Sequence, residues 1–152
     1  DINFEDLNFE KRKYNRAEAY AQSKLANCLY TNNLSRRLSS NGVTVVSIHP
    51  GWVRSNLERY VARNIFAKLF TEIVAGILGG KIDYKIGAHT TLHVLLDKKV
   101  EEMSGKFFSQ VGVYKKKSDR DGGWPMVPPN IKVEDNNLSD KLYEVSKVLV
   151  GL

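Results

Sequence analysis

The strongest constraint on the fold is a long helical stretch that leads directly into a short apolar strand. Residues 16–40 contain no proline or glycine, and leucines recur in them at roughly one per turn, which predicts a helix. Asn15 is the expected N-cap, and Asn41 followed by Gly42 supplies the stop. Residues 43–48 are β-branched and nearly all apolar, which is typical of a strand buried on both faces of a parallel sheet.

The rest of the chain continues this alternation of helices and strands. Apolar residues at i, i+4 steps predict a helix with a broad apolar stripe over residues 57–82, and a further helix is expected over 87–96. Residues 106–109 suggest a strand, 111–135 are loop-like, and 138–150 form an amphipathic pattern with leucines on one face. The order predicts an α/β fold.

Two short apolar strands cannot bury themselves, because a parallel sheet needs neighbouring strands and helices on both faces. We therefore expect the remainder of the sheet to lie outside these 152 residues. The chain also opens at Asp1 without an initiator methionine, which agrees with that expectation.

Composition narrows the class of protein. The net charge is +6, but the basic residues are dispersed and only residues 115–117 form a dense run, so no nucleic-acid partner is expected. Cys28 is the only cysteine, which excludes an intrachain disulfide, favours an intracellular location and suits a small core residue. The most apolar stretch, 65–80, is interrupted by Lys68 and Glu72 and is too short to span a bilayer.

The first candidate for chemistry is the pair Tyr20 and Lys24, which an i, i+4 spacing places on one helix face. An ammonium group beside a tyrosine stabilises the phenolate, so the tyrosine can act as a general acid and base. The spacing alone is not specific, since Tyr143 and Lys147 repeat it in the last predicted helix.

The neighbouring sequence distinguishes the pair Tyr20 and Lys24 from the pair Tyr143 and Lys147. The helix of Tyr20 leads into the apolar strand, which ends in Pro50 and Gly51, and ligands of open α/β sheets bind at such carboxyl ends. The Pro-Gly turn is expected to expose backbone N–H groups that grip a carboxamide or phosphate. No strand follows the second pair, so we interpret it as a packing pair. His89 and His93 have a metal-site spacing but no third ligand, and no metal is expected.

Several motifs resemble the short-chain dehydrogenases/reductases, most closely their retinol dehydrogenase-like branch. Residues 19–27, AYAQSKLAN, resemble the active-site helix, and residues 48–55, IHPGWVRS, resemble the P-G-x-V-x-[ST] segment beside the nicotinamide. Residues 4–8, 87–91 and 105–109 also resemble their family counterparts, in the same order. The resemblance implies that residues 1–152 are the carboxy-terminal half of one NAD(P)-binding domain, an incomplete part of a doubly wound Rossmann-type parallel sheet.

The resemblance also implies an oxidoreductase that interconverts an alcohol and a carbonyl with NAD or NADP. Tyr20 would donate and accept the proton, and Lys24 would stabilise its phenolate and bind the nicotinamide ribose. The residues implied to border the nicotinamide are Pro50, Gly51, Val53 and Ser55. The family's phosphate loop and catalytic serine have no counterpart in the sequence, so the chain alone is expected to be inactive.

The apolar stripe over residues 57–82 has two interpretations, a helix that covers the core or a lid over a lipophilic substrate such as a retinoid, a steroid or an aldehyde. Arg59, Arg63 and Lys68 on its flank suit contact with a membrane surface, so a cytoplasmic or a membrane-associated location is open. The alternative function is a non-catalytic interaction module, a truncated or degenerate paralogue that pairs through the long helix, where the family commonly forms homodimers.

Overall fold

The computed structural model describes residues 1–54, 66, 69, 72–73, 81–109 and 127–152. They fall into two compact units, each described by itself. The first consists of Asp1–Ser47, Glu101–Lys106 and Pro128–Leu152, and the second of Ile48–Val100 and Phe107–Val127.

Helix α1 spans Arg16–Arg37 and begins where the sequence predicts. The Asn15 side chain accepts hydrogen bonds from the backbone N–H groups of Ala17 and Glu18, which confirms it as the N-cap. The helix ends three residues before the predicted limit of 40, because a 3₁₀ turn over Ser39–Asn41 replaces its last turn. Gly42 then adopts φ +67°, a left-handed conformation that favours glycine, so the predicted stop is confirmed.

The core of the first unit lies where α1 meets helix α3, which spans Asn136–Leu149. Leu29 is completely buried there. The other buried members of this apolar cluster are Ile2, Leu25, Val133 and Leu142. Val133 comes from a 3₁₀ helix over Ile131–Glu134, in a segment for which only a loop was predicted.

A polar cluster also joins the two helices. The fully buried Asn33 donates from Nδ2 to Asp140 Oδ1 at 2.6 Å, and Arg36 donates to the same oxygen at 2.5 Å and to Ser139 Oγ at 2.9 Å. The hydrogen bond from Arg36 holds the pKa of Asp140 below its ordinary value. The same guanidinium therefore fixes α3 against α1 through two successive residues.

The described residues include a small parallel sheet of two strands, β1 over Ser47–His49 and β2 over Phe107–Ser109. All of β2 is buried, and the predicted strand at 106–109 is confirmed. The strand predicted over 43–48 starts late, at Ser47, and its predicted burial on both faces is wrong, since Ile48 is 40% exposed. Among the described residues, β1 has one neighbouring strand, β2, on one of its edges. A parallel strand is buried on both faces only within a larger sheet that helices cover on each side.

Helix α2 spans Tyr84–Leu96 and starts before the predicted limit of residue 87, because the Asp83 side chain accepts from the N–H of Lys85 and caps it. A 3₁₀ helix, Lys98–Glu102, follows. The helix predicted over 57–82 lies mostly outside the described residues, although 66, 69, 72 and 73 are helical. Its predicted end is wrong, because Ile82 forms a parallel bridge with Val53.

Helix α3 was predicted over 138–150 and begins two residues earlier, after the cap formed by Asp135. Its apolar face is shorter than predicted, since Leu142 is buried but Leu149 is 60% exposed. Within the described ranges, no helix combines the length and the apolar character that crossing a bilayer requires.

We predict that Leu29→Ala lowers the free energy of unfolding by about 2–5 kcal/mol, because it leaves a cavity in the α1–α3 core. Leu149→Ala is the control, since the same truncation at a 60% exposed site has little effect. Urea unfolding of the full-length protein followed by circular dichroism measures both, and equal losses for the two variants would contradict the described packing.

Candidate active site

Tyr20 and Lys24 lie on one face of α1, in the first unit. The Lys24 ammonium lies 5.4 Å from the centroid of the Tyr20 ring, and both side chains are exposed, Tyr20 by 61%. The i, i+4 spacing on a continuous helix produces this pairing. A phenol and an ammonium are thus presented together to any molecule that approaches this face.

The opposite face of α1 fixes the rotation of the helix about its axis. Gln22 is buried, donates from Nε2 to the Leu7 carbonyl at 3.0 Å, and accepts from the Asn3 N–H at 2.9 Å. The lead-in segment is therefore tied to the helix two residues after Tyr20. Because Gln22 and Leu25 face inward, Tyr20 and Lys24 must face outward.

Cys28 follows Lys24 by one turn and packs, half-buried, against the apolar cluster, as expected of a small core residue. Burial raises the pKa of its thiol, and this outweighs the opposing effects of the hydrogen bond with Ser47 and of the Lys24 charge. Lys24 is thus exposed beside Tyr20, whereas Cys28, one turn further along α1, packs against the apolar cluster.

The turn after β1 belongs to the second unit and differs from what the sequence predicts. Pro50 has no N–H, and the N–H of Gly51 donates to His49 Nδ1 at 3.2 Å, with Gly51 at φ +87°. His49 Nδ1 also lies 3.4 Å from the Ser109 hydroxyl of β2. Within the predicted Pro-Gly turn, the Gly51 N–H is therefore bonded to His49 and is not available to a ligand.

The free backbone groups lie two residues further on. The Ile82 N–H donates to the Trp52 carbonyl at 2.9 Å, and the Arg54 N–H donates to the Ile82 carbonyl at 3.0 Å. In this parallel bridge the N–H and C=O of Val53 turn to the opposite edge, where no hydrogen bond to them is found within the described part of the chain. A backbone donor and acceptor are thus presented side by side.

Sequence reasoning missed the hydrogen bond of His49 to Gly51 and the pairing of Ile82 with this segment. The signal for His49 was its place two residues before Gly51, a spacing at which a side-chain acceptor can reach a backbone N–H. No sequence pattern marked Ile82 as a residue that pairs with Val53, because its β-branched side chain also suits the end of the apolar stripe predicted over 57–82. Ser55, the remaining predicted nicotinamide contact, lies outside the described residues.

Tyr143 and His93, which are also candidates from the sequence, have structural partners. The Tyr143 ring packs 5.9 Å from that of Tyr30 and 4.0 Å beneath the Arg37 guanidinium, which fits the interpretation of Tyr143 and Lys147 as a packing pair. His93 packs against the Phe108 ring at 6.0 Å. No group of three metal-ligating side chains occurs in the described segments.

Comparison with known proteins decides the family. Over its whole length the chain is 37% identical to retinol dehydrogenase 14 of Homo sapiens, and over 99% of its length it is 38% identical to retinol dehydrogenase 12 of Homo sapiens. It is 33% identical to short-chain dehydrogenase TIC 32 A, chloroplastic, of Brassica napus over 98% of its length. The chain belongs to the short-chain dehydrogenase/reductase family. No family model matches it.

The chain spans about 40% of the length of these curated relatives, 40% to 42% in each, and matches their carboxy-terminal part. The predicted α/β class is confirmed, and membership of the short-chain dehydrogenases/reductases implies a Rossmann fold. Tyr20 and Lys24 stand in the first unit, and Pro50, Gly51 and Val53 in the second.

We predict that iodoacetamide alkylates Cys28 of the folded protein much more slowly at pH 8 than it alkylates N-acetylcysteine. The raised pKa leaves little thiolate, and only the thiolate is a good nucleophile. Mass spectrometry of the labelled protein over time gives the rate, and the same sample unfolded in urea is the control. A folded-state rate equal to the unfolded one would show that Cys28 is not in the core.

Proposed function

We propose that the protein carrying this chain is an NAD(P)-dependent oxidoreductase that interconverts an alcohol and a carbonyl. The observation that carries the proposal is the exposed pair on α1, in which the Lys24 ammonium lies 5.4 Å from the Tyr20 ring centroid. Membership of the short-chain dehydrogenase/reductase family supports it, as do relatives named retinol dehydrogenases.

Tyr20 is the proton-transfer group in this proposal. In the reducing direction its hydroxyl gives a proton to the carbonyl oxygen, and in the oxidising direction its phenolate removes the proton from the alcohol. Lys24 stabilises the phenolate through its positive charge. The exposure of Tyr20 leaves its hydroxyl accessible to a substrate, and the anchoring of Gln22 fixes the direction in which the ring projects.

The described residues fit the nicotinamide end of a dinucleotide. A carboxamide carries one acceptor and a donor group, which match the adjacent N–H and C=O that Val53 turns away from Ile82. The Lys24 ammonium has donors for ribose hydroxyls, and Pro50 and Gly51 lie just before Trp52 and Val53 in the second unit. Ser55, outside the described residues, stays a predicted contact. When bound, NAD(P) supplies or accepts the hydride.

We further propose a lipophilic substrate, such as a retinoid, a steroid or a long-chain aldehyde. Relatives of the chain are named retinol dehydrogenases, and three helical residues of the predicted stripe are exposed apolar side chains: Phe66 at 79%, Leu69 at 60% and Ile73 at 53%. Exposed side chains of this size are available to contact an apolar ligand. Association with a membrane surface and homodimerisation stay predictions.

We also propose that residues 1–152 are the carboxy-terminal half of one NAD(P)-binding domain and are inactive by themselves. The exposure of Ile48 on a two-stranded parallel sheet supports this, because strands of this kind are stable only between neighbours. The alternative, a non-catalytic interaction module that pairs through α1, needs neither Tyr20 nor a dinucleotide.

We predict that Tyr20→Phe in the full-length protein lowers kcat for carbonyl reduction by about 10²- to 10⁴-fold, because the variant lacks the proton donor. Binding of NAD(P)H, followed by its fluorescence, is retained. Tyr143→Phe is the matched control, since that tyrosine has the same Lys spacing but packs against Tyr30 and Arg37. Near-normal turnover by Tyr20→Phe would exclude Tyr20 as the proton donor, whereas a wild-type protein without turnover would favour the interaction module.

We predict that Phe66→Ser raises KM for a long-chain aldehyde several-fold more than for a short-chain one, because only the long chain reaches the apolar side chain. Leu149→Ser is the control, as it removes a comparably exposed apolar group from α3. Steady-state kinetics with both aldehydes measures the difference. An equal loss on the two substrates, accompanied by a change in sedimentation, would assign Phe66 to a subunit interface instead.

A further inference from the structure

Gly87 is an unusual residue for its position, because it lies inside α2, where glycine is among the least favourable residues. The reason is a close approach to Val53. A Cβ added at Gly87 would lie 2.5 Å from Val53 Cγ2, 3.2 Å from Cγ1 and 3.5 Å from Cβ. The first distance is far shorter than a carbon–carbon contact permits, so the helix backbone rests directly on the Val53 side chain.

Rotating the Val53 side chain does not clear such a Cβ completely. A χ1 rotation turns the Cβ hydrogen toward only one of the two crowded positions and leaves a methyl group at the other, while the Val53 Cβ itself stays 3.5 Å from the added atom. Because the χ1 angle of valine is also restricted, we expect the backbone of Val53 to move.

The same short segment also fixes that backbone. Ile82 brackets Val53 with hydrogen bonds to the residues on either side of it, Trp52 and Arg54. Asp83, the next residue, caps α2, and Gly87 follows one turn later and is buried. Ile82 therefore holds the main chain of Val53 while Gly87 holds its side chain, and both belong to one continuous run of residues.

We propose that Gly87 is a positioning residue, whose lack of a side chain sets the place of the Val53 N–H and C=O that receive the nicotinamide carboxamide. The proposal rests on the proposed function. Gly87 itself contacts neither the substrate nor the reacting atoms. Through Val53, this residue near the start of α2 contributes to specificity for the nicotinamide end of the dinucleotide.

The test uses the full-length protein with Gly87→Ala, Val53→Ala and the double variant. Dissociation constants are measured by calorimetry for the oxidised dinucleotide that the wild type binds and for ADP-ribose, or its 2′-phosphate, which lacks the nicotinamide. Gly87→Ala should weaken dinucleotide binding by about tenfold or more, because overpacking displaces Val53, and should leave ADP-ribose binding unchanged. In the double variant the space vacated at Val53 accommodates the new methyl, so dinucleotide binding should recover to the level of Val53→Ala.

A merely structural role for Gly87 predicts a different pattern, in which the melting temperature falls and both ligands weaken together. That pattern, or Gly87→Ala with wild-type dinucleotide affinity, would overturn the proposal. If Gly87→Ala alone does not fold, the double variant decides: recovery of nicotinamide-dependent affinity supports the proposal, and its absence overturns it. A wild-type protein that binds neither ligand would instead refute the proposed function.

Discussion

The arrangement of the first unit depends on the burial of one face of α1. Leu25 and Leu29 are buried against the cluster that α3 and the amino-terminal lead-in complete, and Gln22 ties that lead-in to the helix by two hydrogen bonds. A helix held this way has only one outward face. The apolar contacts therefore determine the direction of the phenol and ammonium of Tyr20 and Lys24, although neither group takes part in them.

In the second unit, backbone hydrogen bonds and the lack of a side chain at Gly87 determine the position of Val53. His49 engages the N–H of Gly51, and Ile82 engages the groups on both sides of Val53, so the N–H and C=O of Val53 are left over. The N–H and C=O of Val53 are therefore a backbone donor and acceptor on one edge of this segment that a ligand can bind. The side chain of Val53 serves mainly as a contact surface for Gly87.

Local signals predicted much of this fold. The N-cap at Asn15, the stop at Gly42, the buried strand at Phe107–Ser109 and both later helices follow from capping and periodicity, which act over a few residues. The strand before His49 was predicted too early, because its β-branched residues show a preference for extended structure and not where a partner strand begins. The bridge between Val53 and Ile82 joins residues far apart in the sequence, and no local pattern encodes such a pairing.

The candidate site was predictable to a similar extent. The spacing of Tyr20 and Lys24 fixes their common face once the helix is given, and a family resemblance distinguishes them from Tyr143 and Lys147. Of the predicted residues near Pro50, Gly51 has its N–H bonded to the imidazole of His49, whereas Val53, which was also predicted, presents free backbone groups.

The proposed reaction is hydride transfer between a dinucleotide and a carbonyl in a site that contains Tyr20. Its most direct test is to incubate the full-length protein with a long-chain aldehyde or retinaldehyde and dinucleotide deuterated at nicotinamide C4, using NADH and NADPH labelled on each face in turn. We predict that mass spectrometry finds one deuterium on the carbinol carbon of the alcohol product with one of the four labelled dinucleotides. Alcohol formed without deuterium from any of them, or no alcohol at all, would contradict the account.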